Sequence, residues 1–144
     1  GPRRTLPLVA RYADRWDAGF LTPEQYCERA SQLDQLLTHV GRYPSDVRRS
    51  VTVPVFCWRT QAELEQRAIG IRRIGAFSSM PLEQVLEQAH ADLAAISGTP
   101  AQVVAGIQAY QDAGVDELVI QWPAVDDIEG LQILASDVLP QLAG

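Results

Sequence analysis

The first residues able to do chemistry are Gly1-Pro2-Arg3-Arg4, a glycine-basic turn that runs straight into a helical pattern starting at Thr5. Glycine lets a backbone come close to an anion, and a helix start offers unpaired N–H groups and the positive end of the helix dipole. Arg3 or Arg4 can add a charge-assisted, bidentate contact to a phosphate. Basic charge at a helix start opposes the dipole unless an anion is present, so Gly1, Pro2, Arg3, Arg4 and Thr5 are the candidate phosphate-binding residues. The plainer alternatives are a solvated basic helix start, or Gly1-Pro2 left behind by a tag protease.

Other residue types give weaker signals. Trp16, Trp58 and Trp122 fall at or near the ends of β-rich runs, where aromatic walls suit a planar ring system or an apolar substrate. Large aromatics also plug gaps between helices and loops. His39 and His90 sit inside helical patterns with no carboxylate or cysteine at metal-ligand spacing, so no metal site is expected. Cys27 falls in mid-helix and reads as packing; Cys57 ends a strand but has no local histidine to activate it. Asp126 and Asp127 read as caps of the last helix, and Asp116-Glu117 precedes a strand. No catalytic acid, base or nucleophile can be named from these residues.

The elements that would position these groups are legible from periodicity and capping. Leu6, Val9, Ala10 and Ala13 mark one face of a first helix capped by Thr5. A short strand covers Arg15–Ala18. Thr22-Pro23-Glu24-Gln25 starts a second helix with the stripe Tyr26, Ala30, Leu33, Leu37 and Val40, stopped by Gly41. Val51, Val53 and Val55 alternate along a strand over Ser50–Cys57, although Pro54 would cost a central strand one ladder hydrogen bond. Thr60-Gln61-Ala62-Glu63 opens a helix ending near Gly75, Ala76–Met80 reads as a loop, and Pro81–Ile96 as an additional helix. Thr99-Pro100-Ala101-Gln102 opens a helix closed by Gly114. A last strand, Glu117–Trp122, precedes a helix carrying Ile128, Leu131, Ala135, Val138 and Leu142.

Alternating β and α implies a parallel sheet with right-handed crossovers. Three parallel strands in one domain spanning residues 1–144 leave a sheet face uncovered, whereas parallel sheets are normally buried on both faces. The strands therefore belong to a larger closed barrel, or another chain covers the bare face. Left alone, that face would be an apolar patch prone to aggregation.

Composition narrows the function classes. With 144 residues, 47% hydrophobic and 21% charged, the chain reads as an ordinary soluble globular sequence. A net charge of −6 without a basic stripe argues against nucleic-acid binding, and no apolar run is long enough for a membrane span. All 12 basic residues are arginine. Two cysteines make no disulfide framework, which points to a cytoplasmic setting.

Two stretches carry a family resemblance. RRTLPLVARYADRWDAG resembles the segment after the fifth barrel strand of luciferase-like monooxygenases, and most of all their coenzyme F-420 (deazaflavin)-dependent branch. There a glycine-rich turn is followed by an Arg-Thr-Leu helix, an Ala-Arg-Tyr-Ala-Asp segment and a Trp-Asn strand. SGTPAQVVAGIQAYQDAGVDELVIQW is similar to the family's Gly-Thr-Pro helix, Asp-Ala-Gly-Val-Asp turn and last barrel strand. Asp17 departs from the pattern, standing where Asn is common.

The resemblance implies an α/β fold, the C-terminal part of a TIM-type (β/α)8 barrel with about three parallel strands and surrounding helices. It implies an oxidoreductase or monooxygenase that transfers hydride between coenzyme F-420, or alternatively FMN, and a small organic substrate. This portion would anchor the cofactor phosphate through Gly1, Pro2, Arg3, Arg4 and Thr5, and would be inactive without the N-terminal half of the barrel. The rival expectation is a non-catalytic partial barrel that associates with itself as a homodimer or with a second half-barrel chain.

Overall fold

Capping chemistry sets most element boundaries in the computed structural model, which describes residues 2–72, 79–123 and 126–142. The order is α1 (Pro2–Tyr12), β1 (Arg15–Asp17), α2 (Pro23–His39), a 3-10 turn (Pro44–Asp46), β2 (Arg48–Cys57), α3 (Gln61–Arg72) and α4 (Leu82–Leu93). Then follow β3 (Ile96–Gly98), α5 (Pro100–Asp112), β4 (Glu117–Gln121), α6 (Ile128–Ile133), a π-helical turn (Leu134–Val138) and α7 (Leu139–Leu142). At α2 the capping box forms in both directions: Gln25 N donates to Thr22 Oγ1 at 3.3 Å and Thr22 N to Gln25 Oε1 at 3.1 Å. Gly41, with φ +77°, takes the left-handed position that ends this helix. At α5, Thr99 N donates to Gln102 Oε1 at 2.9 Å.

Every strand pair is parallel and β2 is the hub. Its residues Arg48–Ser50 pair with β1, Ser50–Pro54 with β4, and Val55–Cys57 with β3. Hydrogen bonds to the β1 side come from even-numbered residues: Arg48 N donates to Asp14 O, while Ser50 O and Thr52 O accept from Ala18 N and Phe20 N. Arg49 O, in the odd set, accepts from Asp116 N on the β4 side. Pro54 belongs to the even set, so its missing N–H falls beyond the last β1 contact and before β3, where Trp58 N donates to Gly98 O. The proline therefore breaks no ladder bond to β4.

Side chains alternate in the same way. On the outer face Val51, Val53, Val55 and Cys57 are fully buried with Tyr26, Leu33 and Leu37 of α2 and Val103, Ile107 and Tyr110 of α5. Aligned register puts Arg15, Asp17, Arg48, Ser50, Thr52, Pro54, Phe56, Glu117, Val119 and Gln121 together on the inner face. Helices α2 and α5 pack on the outer face. Toward the C-terminal end of β2, Phe56 is covered by Val85 and Ala89 of α4 and by Ala95.

Five expectations need correction. The uncovered face is polar rather than apolar, since Arg15, Asp17, Arg48 and Gln121 are exposed on it and Val119 is its one exposed large aliphatic among the described residues. Thr5 is not the helix cap, because α1 already runs from Pro2 and Thr5 lies inside its first turn. There are four strands instead of three: the helix expected over Pro81–Ile96 ends at Leu93, where Ala94 turns left-handed with φ +51° and Ile96–Gly98 extend as β3. In the last helix Gly130, Ile133, Leu134 and Val138 are buried, while Ile128, Leu131 and Ala135 are exposed. Cys27 is exposed rather than packed. Of the loop expected at Ala76–Met80, only Ser79 and Met80 fall within the described residues, both outside any helix.

The last of the helix shifts has a local cause. Asp127 Oδ1 accepts from Gly130 N at 2.9 Å, which fixes how α6 starts, and Gly130 then faces Trp122 so closely that a Cβ would lie 2.5 Å from its ring. The π turn that follows adds a residue to the helical repeat and re-aims the buried stripe.

Candidate functional site

The end of the sheet at which chemistry belongs is set by α1. Only Ala13 and Asp14 separate α1 from β1, so the helix and strand run in opposite directions. Arg42, just past α2, donates to Ala10 O at 3.1 Å and Ala13 O at 2.9 Å and ties the C-terminal end of α1 to the floor of the sheet. The N-terminus of α1 therefore lies on the side of the C-terminal strand ends, the side that carries the active sites of (β/α)8 barrels. Its first turn has no acidic residue. Pro2 has no N–H, so the free backbone donors of that turn belong to Arg3 and Arg4. Arg4 is exposed; Gly1 lies outside the described residues. The Arg4 guanidinium beside two free N–H groups at a positive dipole end forms a donor set that fits a phosphate.

On the inner face, the two strand carboxylates are treated differently. Glu117, at the N-terminal end of β4, is flanked by Arg15 Nη2 at 2.5 Å and Arg48 Nη2 at 3.2 Å. Asp17, the last residue of β1, accepts from Ser50 Oγ at 2.9 Å (on Oδ1) and from Thr52 Oγ1 at 3.0 Å (on Oδ2). A polar residue at every second position of a valine-rich run, Ser50 and Thr52 in SVTV, was the sequence signal for this cluster.

The three tryptophans separate. Trp16 points outward and stacks on Tyr26, with ring centroids 5.8 Å apart and planes at 16°, so it is core packing. Trp58 and Trp122 are half-buried just past β2 and β4, and both border a small hollow with Val55, Phe56, Leu64, Arg67, Pro123 and Asp127.

Charge holds this end together. Arg67, with only 10% of its side chain exposed, donates from Nε to Asp127 Oδ2 at 2.7 Å and from Nη1 to Glu63 Oε2 at 3.4 Å. Arg59 Nε donates to Asp137 Oδ2 at 2.6 Å, and Arg59 N to Glu63 Oε2 at 2.6 Å. The Arg59 backbone N–H holds the Glu63 carboxyl below its ordinary range, and the Arg59 side chain does the same for Asp137. These contacts bind α3 and the π turn to the loop after β2. The sequence reading of Asp127 as a cap was correct, but its pairing with Arg67, 60 residues away, was not visible.

The two cysteines differ in exposure. Burial pushes the Cys57 thiol up to about 11, so it carries almost no thiolate at neutral pH. Iodoacetamide at pH 8 is expected to label the exposed Cys27 and spare Cys57 in the folded chain, with both labelled in denaturant; mass spectrometry reads the difference. His90 is exposed and its Nδ1 lies 3.1 Å from Ala95 O. Among the described residues no group of three or more His, Cys, Asp or Glu is placed to hold a metal ion. No described helix is long and apolar enough to cross a membrane.

Comparison with known proteins agrees with the fold. The model of the luciferase-like monooxygenase family matches residues 1–117. F420-dependent glucose-6-phosphate dehydrogenase 1 of Rhodococcus jostii (strain RHA1) is 26% identical over 163 residues, covering 96% of this chain and 47% of that protein. The coenzyme F420-dependent tetrahydromethanopterin reductase from Methanopyrus kandleri superposes with a TM-score of 0.68 at 13% identity, over 98% of this chain and 48% of that one. A riboflavin lyase holding a modified FMN and riboflavin superposes with a TM-score of 0.66 at 13% identity, over 95% of this chain and 40% of that one. The chain thus spans less than half the length of the relatives it matches.

Proposed function

Because this chain belongs to the luciferase-like monooxygenase family, we propose that it forms the C-terminal part of a (β/α)8 barrel that binds coenzyme F-420, with FMN as the alternative. The proposed reaction is hydride transfer to or from a small organic substrate. The bound deazaflavin or flavin supplies the redox chemistry. The residues of this chain bind and orient it: the first turn of α1, with Arg3, Arg4 and Thr5 following Gly1 and Pro2, anchors its phosphate, and the half-buried Trp58 and Trp122 wall the mouth.

The observation that carries this reading is the start of α1, a basic, acid-free helix N-terminus on the C-terminal side of the strands. FMN and riboflavin share a ring and differ in the phosphate, so titrating both against the purified chain by flavin fluorescence isolates the anchor. FMN is expected to bind more tightly, and Arg4→Ala to weaken FMN by about tenfold, the loss of one charge-assisted hydrogen bond, while leaving riboflavin alone. Equal affinity for the two ligands would sink the phosphate anchor.

The sheet supports a second reading in which association comes first. β1 and β4 each have one partner strand among the described residues, and both flank the polar inner face. Strands of an N-terminal half-barrel would pair along those edges, whereas a homodimer pressed face to face would bury the charges of Arg15 and Arg48. A dimeric mass in light scattering with no flavin bound is the result that would favour this association reading over cofactor binding.

A further inference from the structure

The inner face carries two strand carboxylates, and among the described residues only one of them is paired with arginine. Glu117 at the floor has two guanidiniums within 3.2 Å. Asp17 at the mouth end of β1 has two hydroxyls, which satisfy lone pairs without cancelling charge. Among the described residues no arginine or histidine pairs with it. Hydroxyl donors hold the carboxylate in one orientation and leave part of its acceptor capacity free, since an ionised carboxylate offers about four lone-pair sites. Access is open as well: Asp17 is exposed, and apart from its flanking residues the neighbouring Gly19 has Asp17 Oδ2 as the one described atom within 4 Å of a built Cβ, at 3.8 Å.

A charge enclosed by a closing barrel is costly unless a further group pairs with it or donates to it. The sign of that charge says which part of a ligand it faces. A carboxylate repels phosphate, so Asp17 cannot serve the anion anchored at α1; it suits a group that donates a hydrogen bond. Flavins and deazaflavins carry such a group at the far end of the molecule from the phosphate, the imide N–H of the pyrimidinedione ring.

We infer that Asp17, oriented by Ser50 and Thr52, accepts a hydrogen bond from the imide N–H of the bound cofactor's ring and so fixes the ring end, while the start of α1 fixes the phosphate end. This rests on the cofactor reading above. It assigns to this chain a ring-binding carboxylate at the position where the family commonly has an amide.

The test pairs a residue change with a ligand change. Riboflavin and 3-methylriboflavin differ in that one N–H, and neither has a phosphate, so the α1 anchor does not enter. Fluorescence titration of the wild-type chain is expected to show 3-methylriboflavin binding about tenfold more weakly than riboflavin, the usual worth of a hydrogen bond to a charged group. Asp17→Ala is expected to weaken riboflavin by a similar factor and to abolish the difference between the two ligands. Asp17→Asn keeps an oxygen for the two hydroxyls and should fall between, which controls for folding together with circular dichroism of each variant.

A wild type that does not distinguish the two ligands, or an Asp17→Ala variant that still does, overturns the assignment. If FMN is preferred over riboflavin and that preference is lost in Arg4→Ala, the phosphate anchor stands even when Asp17 fails. If none of the three flavins binds the wild-type chain, both readings fall together.

Discussion

Asp127→Ala is expected to lower the unfolding free energy by about 3–5 kcal/mol, the range for removing one partner of a buried ion pair. One side chain does two jobs here. Its Oδ1 caps α6 through Gly130 N, and its Oδ2 takes Arg67 Nε at 2.7 Å. Losing the cap alone would cost about 1 kcal/mol. The larger part comes from Arg67, whose guanidinium is almost out of water and would be left, among the described residues, with Glu63 at 3.4 Å as its one carboxylate. Asp127→Asn keeps an oxygen for the cap and loses the charge, so it should fall between wild type and alanine. Arg67→Met removes the stranded charge and fills similar volume. The double variant Arg67→Met/Asp127→Ala should therefore be less destabilised than the sum of the two single changes. Urea unfolding with unchanged slopes supplies the numbers. A loss below about 0.5 kcal/mol for Asp127→Ala, the scale of an ordinary surface change, would show that the pair is solvated and holds nothing.

How much of this could be read beforehand follows the range of the interactions involved. Thr22 and Gln25 meet across three residues, and so do Thr99 and Gln102, which is why both helix starts were legible to the residue. The Val51, Val53, Val55 alternation announced β2 because a half-polar strand writes its two faces into the sequence directly. β3 was missed because three residues give no period to detect; it exists because Val55–Cys57 offer a ladder edge to Ile96–Gly98. The stripe of the last helix was misread for a similar reason. Five apolar residues at helical spacing, Ile128 to Leu142, fit one face well, but the cap at Asp127 and the π turn rotate a different set into the core.

The site divides along the same line. Helix start, basic residues and strand ends are local features, and the structure puts the beginning of α1 on the side of the C-terminal strand ends by tying its other end to Arg42. The polar character of the inner face is non-local. Arg15, Asp17, Ser50 and Glu117 lie on three strands, and only the register of β1 and β4 against β2 brings them together. The bare face was expected to be apolar because parallel sheets usually are on both sides. The inner face of this sheet does not follow that rule, and the alternating Ser50 and Thr52 already broke it within the sequence.

Trp16 tests whether the outward direction read from that register is right. Trp16→Ala is expected to cost about 3–5 kcal/mol, the usual loss for a large aromatic removed from a core. The ring is only 7% exposed and stacks on Tyr26, whose own hydroxyl donates to Gly114 O at 3.1 Å. Removing the indole therefore opens a cavity between β1 and α2 and loosens the tyrosine that links α2 to the turn before β4. Trp16→Phe keeps a flat ring against Tyr26 and should lose well under half as much. Since the indole faces the helices and not the inner face, Trp16→Phe should leave the proposed flavin binding unchanged within error, whereas changes at Trp58 or Trp122, which border the hollow past β2 and β4, should alter it. A Trp16→Phe variant that keeps its stability and loses flavin binding would reverse the assignment. It would make Trp16 part of a ligand wall, and with it the inner and outer faces of the sheet would have to be exchanged.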